Sequence, residues 1–218
     1  EPWSSLERLN KERDLVGIYI SAHPLDDYAV ILQDVCNTQV MDLKDIERLD
    51  NSDITLGGMV TAVRKGVGKN GRPYGFVTIE DYSGAFEISL FGQDWATWSS
   101  YMDEGNTLYI TGKCQPRQWK ENQKEFKIGK IEFLADVQDS LIESITISIE
   151  LSRLNNDLIL SLTDEINASP GTADLYFQIV DPLGQMNVTL LSKTKKVSVK
   201  KDLISFIQSK QGLSYKIN

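Results

Sequence analysis

The residues able to do chemistry fall in three places. The first is ERDLVGIYISAHPLDDY, residues 12–28, which holds the one histidine of the chain, His23, between an apolar run and Pro24. A lone imidazole can serve as a general base, ligate a metal or cap a helix. Cys36 and Cys114 lie far apart and outside Cys-x-x-Cys spacing, so free buried thiols are expected rather than a disulfide framework or a zinc site. No second histidine and no activated nucleophile accompanies His23. Proline suits the first turn of a helix, where its missing N–H costs nothing, so Pro24 reads as the first helical residue and His23 as its N-cap. Asp26 and Asp27 then fall where the helix dipole favours carboxylates.

The second place is basic and aromatic. Arg64, Lys65, Lys69 and Arg72 flank or occupy GVGKNGRPYG, which also holds Tyr74 and is followed by Phe76; Arg117, Trp119, Lys120 and Lys124 form a second such group. Lysine and arginine neutralise phosphates and release counterions without demanding a sequence. Aromatic faces stack bases, each worth roughly 1–3 kcal/mol. Ten DNA-contacting candidates follow: Arg64, Lys65, Lys69, Arg72, Tyr74, Phe76, Arg117, Trp119, Lys120 and Lys124. Glu87 and Ser89 alternate outward on a neighbouring strand, and Glu121 and Glu125 dilute the second group, so a modest and salt-sensitive affinity is expected. The third place is two carboxylate pairs, Asp26-Asp27 and Glu80-Asp81, which in principle could hold magnesium. Sequence neighbours point apart, and a helix start and a strand end account for them, so no metal is expected. Gly-x-Ser-x-Gly, Walker and His-Glu-x-x-His motifs are absent, and the Gly/Lys loop stands between two strands rather than before a helix. No catalytic residue and no cofactor is expected.

The elements that must position these residues change character along the chain. Trp3, Leu6, Leu9, Leu15, Val16 and Tyr19 predict a helix, and Leu25, Tyr28, Ala29 and Leu32 share a face of a second helix over 24–36. From Ile54 the apolar period becomes two. Three strands, a short helix over QDWATWSSYM, and two further strands predict a five-stranded OB-fold β-barrel over 54–135, whose two strand-joining loops are the basic stretches. Residues 140–218 mix strand and helix and predict a small α+β domain, with SITISIEL, ADLYFQIVD and GQMNVTLLS as strands and KDLISFIQSK as a closing helix. Residues 1–50 form the preceding helical segment. The net charge of -8 divides into -7, +1 and -2 for residues 1–53, 54–135 and 136–218, so only the barrel suits a polyanion. No apolar run reaches a membrane span and no signal peptide is evident, which reads as cytoplasmic. A start without Met, in mid-helix pattern, suggests a piece of a longer chain.

ERDLVGIYISAHPLDDY, followed by ITLGGMVTAVRKGVGKNGRPYGFVTIEDYSGAFEISLFG, resembles the C-terminal part of the bacterial DNA polymerase III alpha subunit, a replicative DNA polymerase. The second stretch alone also resembles OB domains of class II tRNA synthetases; its pairing with the first decides. The resemblance implies a nucleotidyltransferase parent whose active site, with its magnesium, lies upstream. It further implies that residues 1–50 are the tail of a clamp-binding domain, that the sliding clamp binds upstream, and that the barrel meets single-stranded template DNA. The last domain would dock the tau subunit of the clamp loader. Leu203, Phe206 and Ile207 on the closing helix are candidate apolar anchors for such a partner, against the alternative that they pack inward. A protein-interaction platform whose barrel leaves DNA alone is the competing reading.

Overall fold

The computed structural model describes residues 11–12, 15–16, 23–49, 53–117, 120–181 and 183–218. They form two compact units, divided between residues 26 and 27, 35 and 36, and 137 and 138: the described residues up to 26 and within 36–137 make the first, those within 27–35 and 138–218 the second. The helix expected over 3–20 lies largely outside the described residues.

The first unit is an antiparallel sheet of β1 (Asp53–Val67), β2 (Pro73–Asp81), β3 (Gly84–Phe91), β4 (Thr107–Arg117) and β5 (Lys120–Phe133), in the order β3-β2-β1-β4-β5. Helix α1 (Gln93–Trp98) stands between β3 and β4, and α2 (Leu134–Val137) follows β5. This is the OB-fold order. β1 is long enough to serve both halves: its first part pairs with β4 and its second with β2, with an irregularity between Val60 and Ala62 that bends the strand. The sheet curls around one core, to which β1 gives Ile54, Leu56 and Val60, β2 gives Val77 and Ile79, β3 gives Ile88 and Leu90, β4 gives Leu108 and Ile110, and β5 gives Ile128 and Ile131. A 3-10 segment, Val40–Arg48, plugs it with Val40 and Leu43. A cleft of about 550 Å³ lined by Ile88, Leu90, Phe126 and Ile128 runs between β3 and β5, the two edge strands of the sheet.

The second unit is a four-stranded sheet, β8 (Met186–Val197), β7 (Pro170–Asp181), β6 (Ser144–Glu150) and β9 (Leu213–Ile217), in that spatial order. β6 and β7 are parallel, joined through α3 (Asn156–Ala168), whose N-cap Asn155 accepts from the Leu158 N–H at 2.9 Å. β7 and β8 form the expected hairpin, and α4 (Lys201–Ser209) leads into β9, which pairs antiparallel with β6. β9 was not expected; Leu213, Tyr215 and Ile217 alternate, but five residues give a weak signal until β6 supplies the ladder. Ile145, Ile147, Ile149 and Leu175 on the sheet meet Leu162 and Ile166 of α3 and Leu203, Ile204 and Ile207 of α4.

Three expectations are corrected. The described residues of 1–50 do not form a unit of their own: Val30 and Val35 join the core of the second unit, whereas Val40 and Leu43 join the barrel. The helix there opens as a 3-10 turn at Asp26–Tyr28 and closes as a π turn at Ile31–Val35, which shifts the apolar stripe, so Leu25, Val30 and Ile31 are buried rather than Tyr28, Ala29 and Leu32. Leu203 and Ile207 are fully buried core residues, and Phe206 is half-buried with the Lys210 ammonium 5.2 Å from its ring centroid. α4 is amphipathic because its apolar face roofs the sheet, so Leu203 and Ile207 are not available to a partner.

Candidate nucleic-acid interface

Strand alternation builds the site. Along β2, Gly75, Val77 and Ile79 point into the barrel while Tyr74, Phe76 and Thr78 point out. Register then aligns Arg64 with Phe76 and Phe76 with Ser89, and Gly66 with Tyr74 and Tyr74 with Phe91. Cross-strand partners share a face, so Tyr74, Phe76 and Phe91 converge outside. Tyr74 and Phe76 meet edge-on at 5.6 Å between centroids, Phe76 and Phe91 at 5.9 Å and 90°, and Tyr74 and Phe91 at 6.2 Å. Two glycines make room. A Cβ on Gly66 would lie 2.7 Å from the Tyr74 phenol oxygen, and one on Gly75 would lie 2.1 Å from the Trp95 ring, so Tyr74 can fold across β1 outside while Trp95 seats against β2 inside. Phe76, for which a core position was the alternative, is therefore a surface aromatic.

The Arg64 guanidinium lies 5.5 Å from the Phe76 centroid and also binds the Glu87 carboxylate of β3. Beyond it the hairpin closes at Gly68–Arg72, tighter than the ten-residue loop expected: Gly68 N–H donates to the Arg72 carbonyl at 2.8 Å, and Arg72 N–H to Asn70 Oδ1 at 3.2 Å. Lys69 and Arg72 are exposed on this turn, and the Arg72 stem passes beside Gly92, the residue after Phe91. Arg64, Lys69, Arg72, Tyr74 and Phe76 are thus brought together on the β1–β2 hairpin.

The other candidates are placed differently. Lys65 alternates to the opposite side of β1, where it lines a hollow with Trp95, Ser99, Asp103 and Glu104. Lys124 is half-buried, and its ammonium donates to the carbonyls of Glu47 at 3.1 Å and Leu49 at 3.0 Å, while its own N–H donates to Glu47 Oε1 at 3.0 Å. It closes the C-terminal end of the 3-10 segment against β5, a position fixed by structure rather than by a ligand. Arg117 and Lys120 are register partners at the tip of the β4–β5 hairpin, and Trp119 lies outside the described residues. Lys120–Lys124, expected in the loop between strands four and five, belongs to β5 itself. Phe91 was missed. It is 59% exposed, and its place could have been read by continuing the outward alternation of Glu87 and Ser89 by one step.

One member of each carboxylate pair, Asp81 and Asp26, has hydrogen-bond partners that fix local structure. Asp81 is buried and accepts from Val40 N–H at 2.9 Å and Ser83 N–H at 2.8 Å, as well as from the Ser83 hydroxyl; Ser83 Oγ in turn accepts from Met41 N–H at 3.1 Å. The EDYSG turn thereby satisfies the first N–H groups of the Val40–Arg48 segment and fixes the plug to the barrel. Among the described residues no group of three or more His, Cys, Asp or Glu is arranged to hold a metal ion. His23 is a cap: Leu25 N–H donates to its Nδ1 at 3.2 Å, its own N–H donates to Asp26 Oδ2 at 3.1 Å, and its ring lies 4.7 Å from that of Tyr82. Burial lowers its pKa from the ordinary 6.5, against the raising pull of Asp26, Glu80 and Asp81. Burial, aided by the Asp81 charge, pushes the Cys36 thiol up to about 12.

Residues 54–134 match the family model of an OB-fold nucleic acid binding domain, and residues 145–218 match that of the DNA polymerase III alpha subunit, C-terminal domain. The chain resembles DNA polymerase III alpha subunits along most of its length. The likeness is to their C-terminal region. The subunit of Saccharopolyspora erythraea is 24% identical over 88% of this chain and 16% of its own length. That of Pseudomonas fluorescens is 24% identical over 81% of this chain and 15% of its own. The chain spans about one-sixth of the length of these relatives. Among solved structures, the mitochondrial single-stranded DNA binding protein Rim1 of S. cerevisiae overlaps 39% of this chain and 96% of its own, at 14% identity and a TM-score of 0.28.

Proposed function

We propose that this chain is a non-catalytic, ligand-binding region of a replicative DNA polymerase, in which the OB barrel contacts single-stranded template DNA weakly and the second unit docks the tau subunit of the clamp loader. The polymerase activity, its magnesium, and the sliding-clamp contact would belong to the parent polymerase outside residues 1–218. One observation carries the DNA part: the outward cluster of Tyr74, Phe76 and Phe91 beside Arg64, Lys69 and Arg72. Rings on a sheet face offer stacking to bases of any sequence, and cations at the adjoining turn follow the phosphates. Few cations are present, and Arg64 is shared with Glu87, so the affinity is modest. The likeness to polymerase alpha subunits supports the assignment of the parent.

The test is oligo-dT binding by the full chain, measured against salt, with Lys69, Arg72 and Lys120 replaced together by Ala. The slope of log K on log salt is expected to flatten by about 0.7 for each phosphate that is no longer neutralised. An unchanged slope sinks the DNA assignment and leaves the interaction platform.

A further inference from the structure

We infer that β8 of the second unit is a docking edge that accepts an extended segment of a protein partner, apolar at alternate residues and followed by carboxylates. β8 is an edge strand of 12 residues that, among the described residues, is paired through β7 alone. The carbonyls and N–H groups of its outer side therefore have no ladder partner within the sheet. Its first half alternates Met186, Val188 and Leu190, whose register partners Asp181, Ile179 and Phe177 place them on the face that α3 and α4 cover elsewhere. Only Val197 of β8 reaches that core. Val188 and Leu190 stay 50% and 52% exposed, and Leu183 in the preceding turn 97%.

Long apolar edges are normally blunted by charge, proline or a bulge, because they template strand pairing. Here the charge comes after the apolar half. The register shifts between Asp174 and Tyr176, so that residues 192–195 of β8, Lys193 and Lys195 among them, bulge opposite Leu175 alone, and Lys196 resumes the ladder opposite Asp174. Lys196 pairs with Asp174 at 2.7 Å, whereas Lys193 and Lys195 have no ion-pair partner among the described residues. An apolar half offering free backbone groups, continued by uncompensated ammonium groups, is complementary to a strand that ends in carboxylates. Backbone bonds supply affinity in such strand addition, and alternate side chains and end charges supply direction. A second copy of this strand would set exposed lysines into an interface with few carboxylates to meet them. This inference does not depend on tau being the partner.

The probe is a synthetic peptide that alternates valine and threonine and ends in glutamates, titrated calorimetrically into the full 218-residue chain. Saturable binding is expected. It should weaken at least about tenfold with Val188→Glu plus Leu190→Glu, and likewise with Lys193→Glu plus Lys195→Glu. The lysine pair is exposed, so this second variant tests the edge even where the apolar pair perturbs folding. A peptide N-methylated at alternate residues should not bind. Absence of binding by the unmodified peptide, or equal binding by the methylated one, overturns the inference whatever tau does. A dimer of the chain in sedimentation that dissolves with Val188→Glu overturns it too, since the occupant is then a second copy. Tau binding measured on the same variants separates the readings: if tau ignores both while the peptide responds, the edge stands and its assignment to tau falls.

Discussion

The two units each put apolar side chains on the solvent side of a strand with cations close by, yet the surfaces differ in kind. On the barrel the apolar groups are rings, and two of the three, Tyr74 and Phe76, stand on a strand paired on both sides, since β2 lies between β1 and β3. Its backbone is spent, so only side chains face a ligand, and π faces with arginine and lysine at the turn fit stacked bases. On β8 the apolar groups are aliphatic and the strand is an edge, so backbone groups are on offer and a polypeptide fits better than a base. On the proposed readings, side-chain type and strand position together separate the two ligands.

The comparison can be broken first at its scaffold. Asp81→Ala leaves the buried N–H of Val40 and the part-buried N–H of Ser83 without an acceptor, so barrel stability in urea should fall by about 1–3 kcal/mol, chiefly through Val40. A loss below that range would mean that the plug is held by its apolar residues alone. Next, Phe76→Ala together with Phe91→Ala should cost about 1–3 kcal/mol of oligo-dT binding for each base that no longer stacks, read by fluorescence anisotropy. The same pair should leave peptide binding at β8 unchanged, and a matching loss there would erase the distinction between the two surfaces. Lys124→Ala sharpens it within the barrel: unfolding should become easier by about 1 kcal/mol as the bonds to Glu47 and Leu49 disappear, with the DNA salt slope unchanged.

The smallest effect is that of pH on His23. Its folded pKa lies below the ordinary 6.5, so the unfolded chain binds the proton more readily. The stabilising contribution is complete above about 6.5 and fades as pH falls through the folded value, where protonation removes the acceptor for Leu25 N–H. Urea midpoints between pH 7.5 and 5.5 should decline in the parent chain and decline less in His23→Asn. Equal slopes would assign the decline to other groups.

The barrel was legible because its order of strands, helix and basic hairpins is written in a period of two with turn residues between. Phe76 and Phe91 were harder, since a ring on a strand is equally compatible with core and surface until register fixes the face. The β4–β5 candidates divide for the same reason: Lys124 reads as a loop cation in sequence, but β5 begins early enough to bring it to the carbonyls of Glu47 and Leu49. Leu203 and Ile207 look like an anchor on an isolated amphipathic helix and are core once the sheet lies beneath them.

Local chemistry alone determined the cap at His23-Pro24, the Asn70-Gly71 turn, the strand periods, and the concentration of positive charge in residues 54–135, because each depends on a few consecutive residues or on a sum along the chain. Tertiary structure alone decided which cations remain available, which rings face water, that residues 27–35 leave the preceding segment for the second unit, and that β8 is an edge. Those facts depend on pairings between residues tens of positions apart, and the free energy that selects them comes from burying faces whose partners no local window contains.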